Sequence, residues 1–149
     1  MLHSPLILFV DGNPDDLERY RRHLALSSAN FNVVQAATGK SGLAFCERHA
    51  VDCVVLEIEL PDVSGFEVLL KLVPHFREPK VAVIMLTRLS NAYLLDAAMR
   101  NGAQAAFSKL VTSPDTLERA ILKAVSTMSA DLTTSATSGQ HLDKSVRLS

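Results

Sequence analysis

Short apolar segments alternate with segments of helical periodicity along the first 128 residues of the chain. Continuous apolar runs such as LILFV (6–10) and VAVIML (81–86) are typical of strands buried on both faces of a sheet. The segments FNVVQAA, CVVLEI and AQAAFS predict three more strands. The pattern therefore predicts five strands, separated by regions whose apolar residues repeat every three or four positions.

Five helices are predicted between and after these strands. The first begins at Asn13-Pro14, because asparagine caps a helix N-terminus and proline suits the first helical position. Asp15 and Asp16 follow in the first turn, where the helix dipole favours acids. Alternating strands and helices favour a parallel sheet covered on both faces. We therefore expect an α/β fold of the flavodoxin-like doubly wound type, with strand order 2-1-3-4-5.

The composition of the chain changes at Ser129. The segment SADLTTSATSGQHLDKSVRLS is rich in serine and threonine and has no apolar period. We predict one domain over residues 1–128 and a disordered tail over 129–149. The 149 residues suffice for a single core.

Overall composition excludes several classes of protein. The formal net charge of −1 gives no field that draws the chain to nucleic acid or membrane. Cys46 and Cys53 form no CxxC pair, and the five histidines have no ligand spacing, so no disulfide or zinc site is predicted. MLHSPLILFV lacks the basic start and cleavage site of a signal peptide, so we expect a cytoplasmic protein.

Polar residues stand where the predicted strands end. In open parallel sheets, ligands bind beyond the carboxyl ends of the strands. The residues at these ends are Asp11, Glu57, Glu59, Thr87, Arg88, Ser108 and Lys109. We expect acids, a hydroxyl and a lysine to converge at one edge of the sheet, with Glu59 as a solvated surface acid.

Over about residues 5–128 the chain resembles a response regulator receiver domain. Asp11 after an apolar strand is similar to one of the family's two adjacent acids, and ELPDVSG resembles the loop that follows the phosphoacceptor. Thr87 after VAVIML is similar to the family's hydroxyl residue, and NGAQAAFSK leads to its lysine, Lys109. The four motifs occur in the family's order and at its spacings.

The resemblance implies a role in bacterial two-component signalling. In such a domain the adjacent acids and an acceptor aspartate hold Mg²⁺, and the aspartate takes a phosphoryl group from a histidine kinase. The hydroxyl and the lysine then bind the phosphoryl oxygens, so that positioning and charge neutralisation carry the transfer. We expect no enzymatic activity and no catalytic residues apart from those that accept and bind the phosphoryl group.

The sequence departs from the family pattern at five positions. The acceptor position holds Glu57, the second acid is Gly12, and the small residue after the hydroxyl is Arg88. Ala106 replaces the aromatic switch residue, and Leu110 replaces the proline after the lysine. The predicted receiver pocket consists of Asp11, Gly12, Glu57, Thr87, Arg88 and Lys109, and its switch-equivalent residues are Thr87 and Ala106.

The departures weaken the expected metal site. The glutamate carboxylate reaches about 1.5 Å further than that of aspartate, whereas Mg²⁺ demands near-ideal octahedral geometry. We expect weak or absent Mg²⁺ binding, with Asp11 and Glu57 as the residual candidate ligands. The Glu57 carboxylate is expected to face Lys109 and Thr87. Arg88 is either a second cation for Glu57 or points to solvent.

Three hypotheses of function follow. In the first, the chain is a degenerate receiver that works as an interaction module without phosphorylation. In the second, it is a true phosphorelay receiver in which a histidine kinase phosphorylates Glu57, since carboxylates can be covalent nucleophiles. The third is an unrelated α/β enzyme or ligand-binding protein, which only the shared fold supports, and a fold alone implies no function.

The expected partner is a histidine kinase, a histidine phosphotransferase or another signalling protein. The basic segment ERYRRHL (18–24) is either a solvated helix face or a docking surface for an acidic partner. No direct contact with nucleic acid or membrane is expected, and homodimerisation stays open.

Overall fold

The computed structural model describes residues 4–73 and 81–142, and the side chains of the last helix through Met128. The strands are β1 (Leu6–Val10), β2 (Asn32–Ala36), β3 (Cys53–Leu56), β4 (Ala82–Thr87) and β5 (Ala105–Ser108). The helices are α1 (Pro14–Ala25), α2 (Gly39–Arg48), α3 (Gly65–Leu72), α4 (Ala92–Arg100) and α5 (Pro114–Leu142).

The five strands form one parallel sheet in the order β2-β1-β3-β4-β5. The central strands are apolar except for Thr87 at the end of β4, and each residue of β3 and β4 is buried. This burial explains their continuous apolar sequence, because helices cover both faces of the sheet. The predicted fold class and strand order are confirmed.

Two apolar clusters lie on opposite faces of the sheet. Ile7 and Phe9 of β1 pack on one face with residues of α1 and α5. Leu8 and Val10 pack on the other face with residues of α2, α3 and α4. Because side chains alternate along a strand, β1 contributes to both clusters.

The turn between β3 and α3 requires a glycine. A Cβ on Gly65 would lie 2.2 Å from the carbonyl oxygen of Glu57, closer than any real contact. The amide of Gly65 donates to the Ile58 carbonyl at 2.7 Å. This close approach brings the start of α3 against the end of β3, which fixes the backbone at Glu57.

Helix α5 extends to Leu142, well beyond the domain boundary predicted at Ser129. The prediction of a disordered tail is therefore corrected for residues 129–142, and residues 143–149 lie outside the described residues. Serine and threonine lower helix propensity by only a fraction of a kcal/mol each. Adding residues to an existing helix is also far easier than starting a new one.

Among the helices of the described residues, none is both long enough and apolar enough to cross a bilayer.

Candidate functional site

The predicted strand ends converge at the carboxyl edge of the sheet. Asp11 follows β1, Glu57 follows β3, Thr87 ends β4 and Lys109 follows β5. All four residues are buried. A burial of this kind requires that each polar group find a partner, because an unpaired buried charge is strongly unfavourable.

Lys109 lies at the centre of this group. Its Nζ is 2.6 Å from Asp11 Oδ2, 3.1 Å from Asp16 Oδ2 and 3.2 Å from Glu57 Oε1. Its backbone amide donates to the Thr87 carbonyl at 2.7 Å, which ties the residue to the end of β4. We call Lys109 with Asp11, Asp16, Glu57 and Thr87 the Lys109 cluster.

Both carboxylate oxygens of Glu57 accept hydrogen bonds. Oε2 accepts from the Thr87 hydroxyl and from the Glu59 amide, the latter at 3.0 Å. Oε1 accepts from the Arg88 amide at 3.2 Å and also faces Lys109 Nζ. The expected arrangement, with Glu57 facing Lys109 and Thr87, is therefore present.

Asp11 and Lys109 influence each other's protonation. Burial raises the pKa of Asp11, although hydrogen bonds from Lys109 and from the Asn13 amide oppose this effect. Burial alone would lower the pKa of Lys109, but the hydrogen bond and charge of Asp11, together with Asp16 and Glu57, outweigh it and raise the pKa. The carboxylates around the ammonium group therefore hold the proton on Lys109.

Asp16 is the site residue that the sequence reasoning missed. The sequence pattern indicates only a role in the first turn of α1, where an acid suits the helix dipole, and the Asp16 amide does donate to the capping Asn13 Oδ1 at 3.3 Å. Its side chain nevertheless turns inward to Lys109. The available signal was its place in the first turn of the helix that follows Asp11, which directs it to the same edge of the sheet.

Arg88 is largely exposed to solvent, as one of its two predicted alternatives has it, but it also pairs with Asp16. Its Nε lies 2.9 Å from Asp16 Oδ2, and its guanidinium also contacts Asp16 Oδ1 at 3.4 Å. The side chain is 62% exposed, and only its backbone amide contacts Glu57. Both interpretations of the sequence overlooked an acid on α1 that competes for the guanidinium group.

Comparisons with known proteins agree with this fold. A sequence model described as the response regulator receiver domain matches residues 7–122. The chain belongs to the response regulator receiver domain family. Members of this family take part in two-component signalling, and they are generally signalling modules rather than enzymes.

One curated relative is the probable transcriptional regulatory protein TcrX of Mycobacterium tuberculosis. It is 30% identical to this receiver domain over 136 residues, which cover 91% of this chain but 55% of TcrX. The chain thus spans about half the length of that relative.

Two solved structures illustrate the shared fold. The CheY-like response regulator receiver domain protein from Methanospirillum hungatei JF-1 has a TM-score of 0.72 and 25% identity, over 87% of this chain and 99% of that one. A signal receiver domain from Vibrio parahaemolyticus has a TM-score of 0.78 over 89% and 98% of the two chains. At 20% identity, that second likeness shows the fold alone.

A cleft of about 360 Å³ opens beside Glu57 in this receiver domain. Its lining includes Asp11, Gly12, Glu57, Pro61 and Arg88. Gly12 contributes no carboxylate, and a Cβ there would lie 3.2 Å from Pro61 Cδ. The exposed side chain of Glu59 also borders the cleft, in line with its expected solvation.

The carboxylates that remain do not fit Mg²⁺ in this arrangement. Mg²⁺ requires oxygen ligands in octahedral geometry. The Asp11 oxygens bind the Asn13 amide and Lys109, and those of Asp16 bind Arg88 and Lys109. Both Glu57 oxygens are also engaged, so a metal ion would have to displace protein donors.

The switch-equivalent positions lie on β4 and β5. Ala106 packs against the α2–α3–α4 cluster, whereas Phe107 packs on the opposite face with α1 and α5. The side chains alternate as predicted, so Phe107 does not replace the missing aromatic residue on the Ala106 face. Leu110, after the lysine, is 71% exposed.

The basic segment of α1 is more structured than either prediction assumed. Arg19 donates to the carbonyl oxygens of Lys109 and Thr112 at 3.3 and 3.1 Å, and it stacks on Tyr20. Arg21 and Arg22 pair with Glu18 on the same helix. Arg19 thus holds the backbone that follows Lys109, while the other two arginines remain on the surface.

Proposed function

We propose that this receiver domain is a phosphorylation-independent interaction module of two-component signalling. The observation that carries the proposal is the pairing of Glu57 with Thr87 and Lys109. The family resemblance assigns this hydroxyl and this lysine to the oxygens of a phosphoryl group. Here the Glu57 carboxylate contacts both Thr87 and Lys109. Glu57 therefore supplies a fixed negative charge where a typical receiver acquires the transient charge of a phosphoryl group.

Weak or absent Mg²⁺ binding is part of this proposal. The six carboxylate oxygens of Asp11, Asp16 and Glu57 all have protein donors, and Gly12 offers none. Displacing Lys109 from a buried carboxylate would leave an uncompensated charge. Without the metal, the charge neutralisation that assists phosphoryl transfer is missing.

The partner we propose is a histidine kinase, a histidine phosphotransferase or another signalling protein. The domain would bind it without an activity of its own and without direct contact with nucleic acid. Ala106 supports a fixed binding surface, since alanine has no side-chain rotamer with which to report a change at Thr87.

The proposal can be tested with small-molecule phosphodonors. The full chain is incubated with acetyl phosphate and Mg²⁺, and separately with beryllofluoride and Mg²⁺. We expect no gain of mass in the first case and no change of the amide NMR spectrum in the second. A base-labile phosphoryl group on Glu57 that disappears in Glu57→Gln would instead establish the phosphorelay alternative.

Restoring the two lost aspartates tests the geometry of the site. In the double variant Gly12→Asp with Glu57→Asp, the shorter acceptor releases Lys109 and Thr87, and position 12 supplies a second acid. We expect measurable Mg²⁺ binding by isothermal titration calorimetry, and none in the single variant Glu57→Asp. Because Pro61 must shift slightly to admit a side chain at position 12, circular dichroism of the double variant is the folding control.

If the folded double variant still binds no Mg²⁺, the loss of acids does not explain the absence of metal binding. The Arg88–Asp16 pair beside the cleft would then be the next obstacle to remove.

A further inference from the structure

A second group of polar side chains joins the last turn of α1 to the start of α5. It consists of His23 on α1 and of Asp115 and Glu118 on α5, and we call it the Glu118 cluster. His23 Nε2 lies 2.7 Å from Glu118 Oε1. One ligand atom from each of the three residues lies within 4.8 Å of the other two.

The donor set is typical of a transition-metal ligand sphere. One imidazole nitrogen with two carboxylate oxygens suits Zn²⁺, which takes three protein ligands and an open fourth position in many sites. Tetrahedral bonds of 2.0–2.2 Å place ligand atoms about 3.3 Å apart. Binding an ion would widen the 2.7 Å contact between His23 Nε2 and Glu118 Oε1 to this spacing, and all three ligand atoms already lie within 4.8 Å of one another.

The Glu118 carboxylate is already oriented for such a role. Ser27 Oγ donates to Glu118 Oε2 at 2.5 Å, which leaves Oε1 facing His23. Partners of this kind, which orient a ligand from behind, commonly raise metal affinity.

The cluster is also accessible to an ion from solvent. The side chain of His23 is 36% exposed and that of Glu118 is 18% exposed. The one competing cation near it among the described residues is Arg119, whose Nη2 lies 3.5 Å from Asp115 Oδ2. Both partners of that pair are more than half exposed, so it offers weak competition.

We propose that His23, Asp115 and Glu118 bind one Zn²⁺ ion that bridges α1 and α5. This site is independent of the receiver pocket and of the function proposed above. Sequence spacing does not reveal it, because the histidine and the acids are about 90 positions apart in the chain. The packing of α1 against α5 brings them together.

The test is calorimetric titration of Zn²⁺ into the metal-free full chain. We expect one Zn²⁺ per chain and a higher melting temperature, because an ion that binds only the folded protein stabilises it. His23→Gln and Glu118→Gln keep polar side chains of similar size but lose a ligand. Each should weaken binding at least about tenfold and abolish the rise in melting temperature.

His49→Gln is the matched control. His49 caps α2, which packs on the opposite face of the sheet, and its ring stacks on Phe45. This variant should bind Zn²⁺ like the wild type. Circular dichroism establishes that each variant is folded, and Mg²⁺ at the same concentration should produce no stabilisation, since an imidazole ligand does not favour it.

Three results would overturn the proposal. They are unchanged Zn²⁺ affinity in both folded variants of the cluster, an equal loss in His49→Gln, and binding without any rise in melting temperature. The first two would assign the ion to other groups, and the third would show that it does not bridge the helices.

Discussion

The two ends of α1 carry two charge clusters that differ in burial. At the start of the helix, Asp16 joins the Lys109 cluster, in which the side chains of Lys109 and Glu57 are 7% and 4% exposed. At its end, His23 meets Glu118 with 36% and 18% of the side chains exposed. Both clusters link α1 to another element through ionisable groups.

Burial gives these similar contacts different consequences. In the Lys109 cluster, removal of one partner leaves the others charged and out of water, so each contact is tightly coupled to the fold. In the Glu118 cluster, water can solvate whatever is left unpaired, and a new ligand can enter. The first cluster therefore fixes structure, while the second is open to a ligand from solvent.

The largest expected effect is that of Lys109→Met. The variant keeps most of the side-chain volume but leaves Asp11, Asp16 and Glu57 without their shared cation. We expect a loss of about 3–5 kcal/mol in the free energy of unfolding, measured by urea denaturation at neutral pH. Lys123→Met, on the exposed face of α5, should change stability by no more than about 0.5 kcal/mol.

A loss below about 1 kcal/mol in Lys109→Met would mean that the three acids bind protons or water once the cation is gone. The contrast between the buried and the exposed cluster would then have no energetic basis.

The second expected effect compares two buried hydroxyls. The Thr87 hydroxyl donates to the Glu57 carboxylate, whereas the Thr112 hydroxyl donates to the Ser108 carbonyl at 2.7 Å. Hydrogen bonds to charged groups contribute about 1.5–3 kcal/mol, and neutral ones about 0.5–1.5 kcal/mol. Thr87→Val should therefore destabilise the domain more than Thr112→Val does in the same denaturation assay.

Equal losses in the two valine variants would contradict the expectation that the Thr87–Glu57 hydrogen bond contributes more than the Thr112–Ser108 bond.

The four strand-end members of the Lys109 cluster could be predicted from the sequence, whereas Asp16 and its pairing with Arg88 could not. Asp11, Glu57, Thr87 and Lys109 each follow or end an apolar strand, and the parallel sheet brings those ends to one edge. A residue at a strand end has a fixed backbone position, and burial leaves its side chain few possible partners. The same reasoning predicted the strand order and both helix layers.

The missed features depend on side-chain choices or on distant helices. Asp16 has two roles open to it, the helix dipole and Lys109, and only the packing of α1 decides between them. Arg88 has a long side chain, so its position at a strand end left its partner undetermined. The Glu118 cluster depends on the angle between α1 and α5. The extension of α5 to Leu142 depends on the ease of lengthening an existing helix, which composition alone does not reveal.

A smaller effect is expected in the alkaline range. Because the pKa of Lys109 is raised in the folded state, its contribution to stability is complete below the ordinary lysine value of 10.5. That contribution is lost as the pH rises through the folded-state pKa. The midpoint of urea unfolding should therefore fall more steeply above this pH in the wild type than in Lys109→Met.

Tyr20, whose pKa burial raises, acts in the same direction in both proteins. The difference between their pH profiles therefore reports Lys109 together with its charge effect on Tyr20, which lowers the pKa of Tyr20 in the wild type. Parallel profiles would show that Lys109 gains no proton affinity on folding, against the arrangement of three carboxylates around its ammonium group.

The smallest expected effect is that of Arg88→Ala. Arg88 and Lys109 both contact Asp16, but Arg88 is mostly exposed, and Asp16 retains Lys109 at 3.1 Å when the guanidinium is removed. We expect a loss of about 1 kcal/mol or less in the free energy of unfolding, as for other exposed ion pairs. The loss should shrink further in about 1 M salt, where the Debye length is near 3 Å.

Arg119→Ala, which removes the exposed partner of Asp115, is the matched control and should show a loss of the same order. If Arg88→Ala instead costs as much as Lys109→Met, Asp16 depends on both cations and the boundary of the buried cluster must be drawn to include Arg88. A loss confined to Arg88→Ala and unaffected by salt would lead to the same conclusion, since screening acts weakly on buried charges.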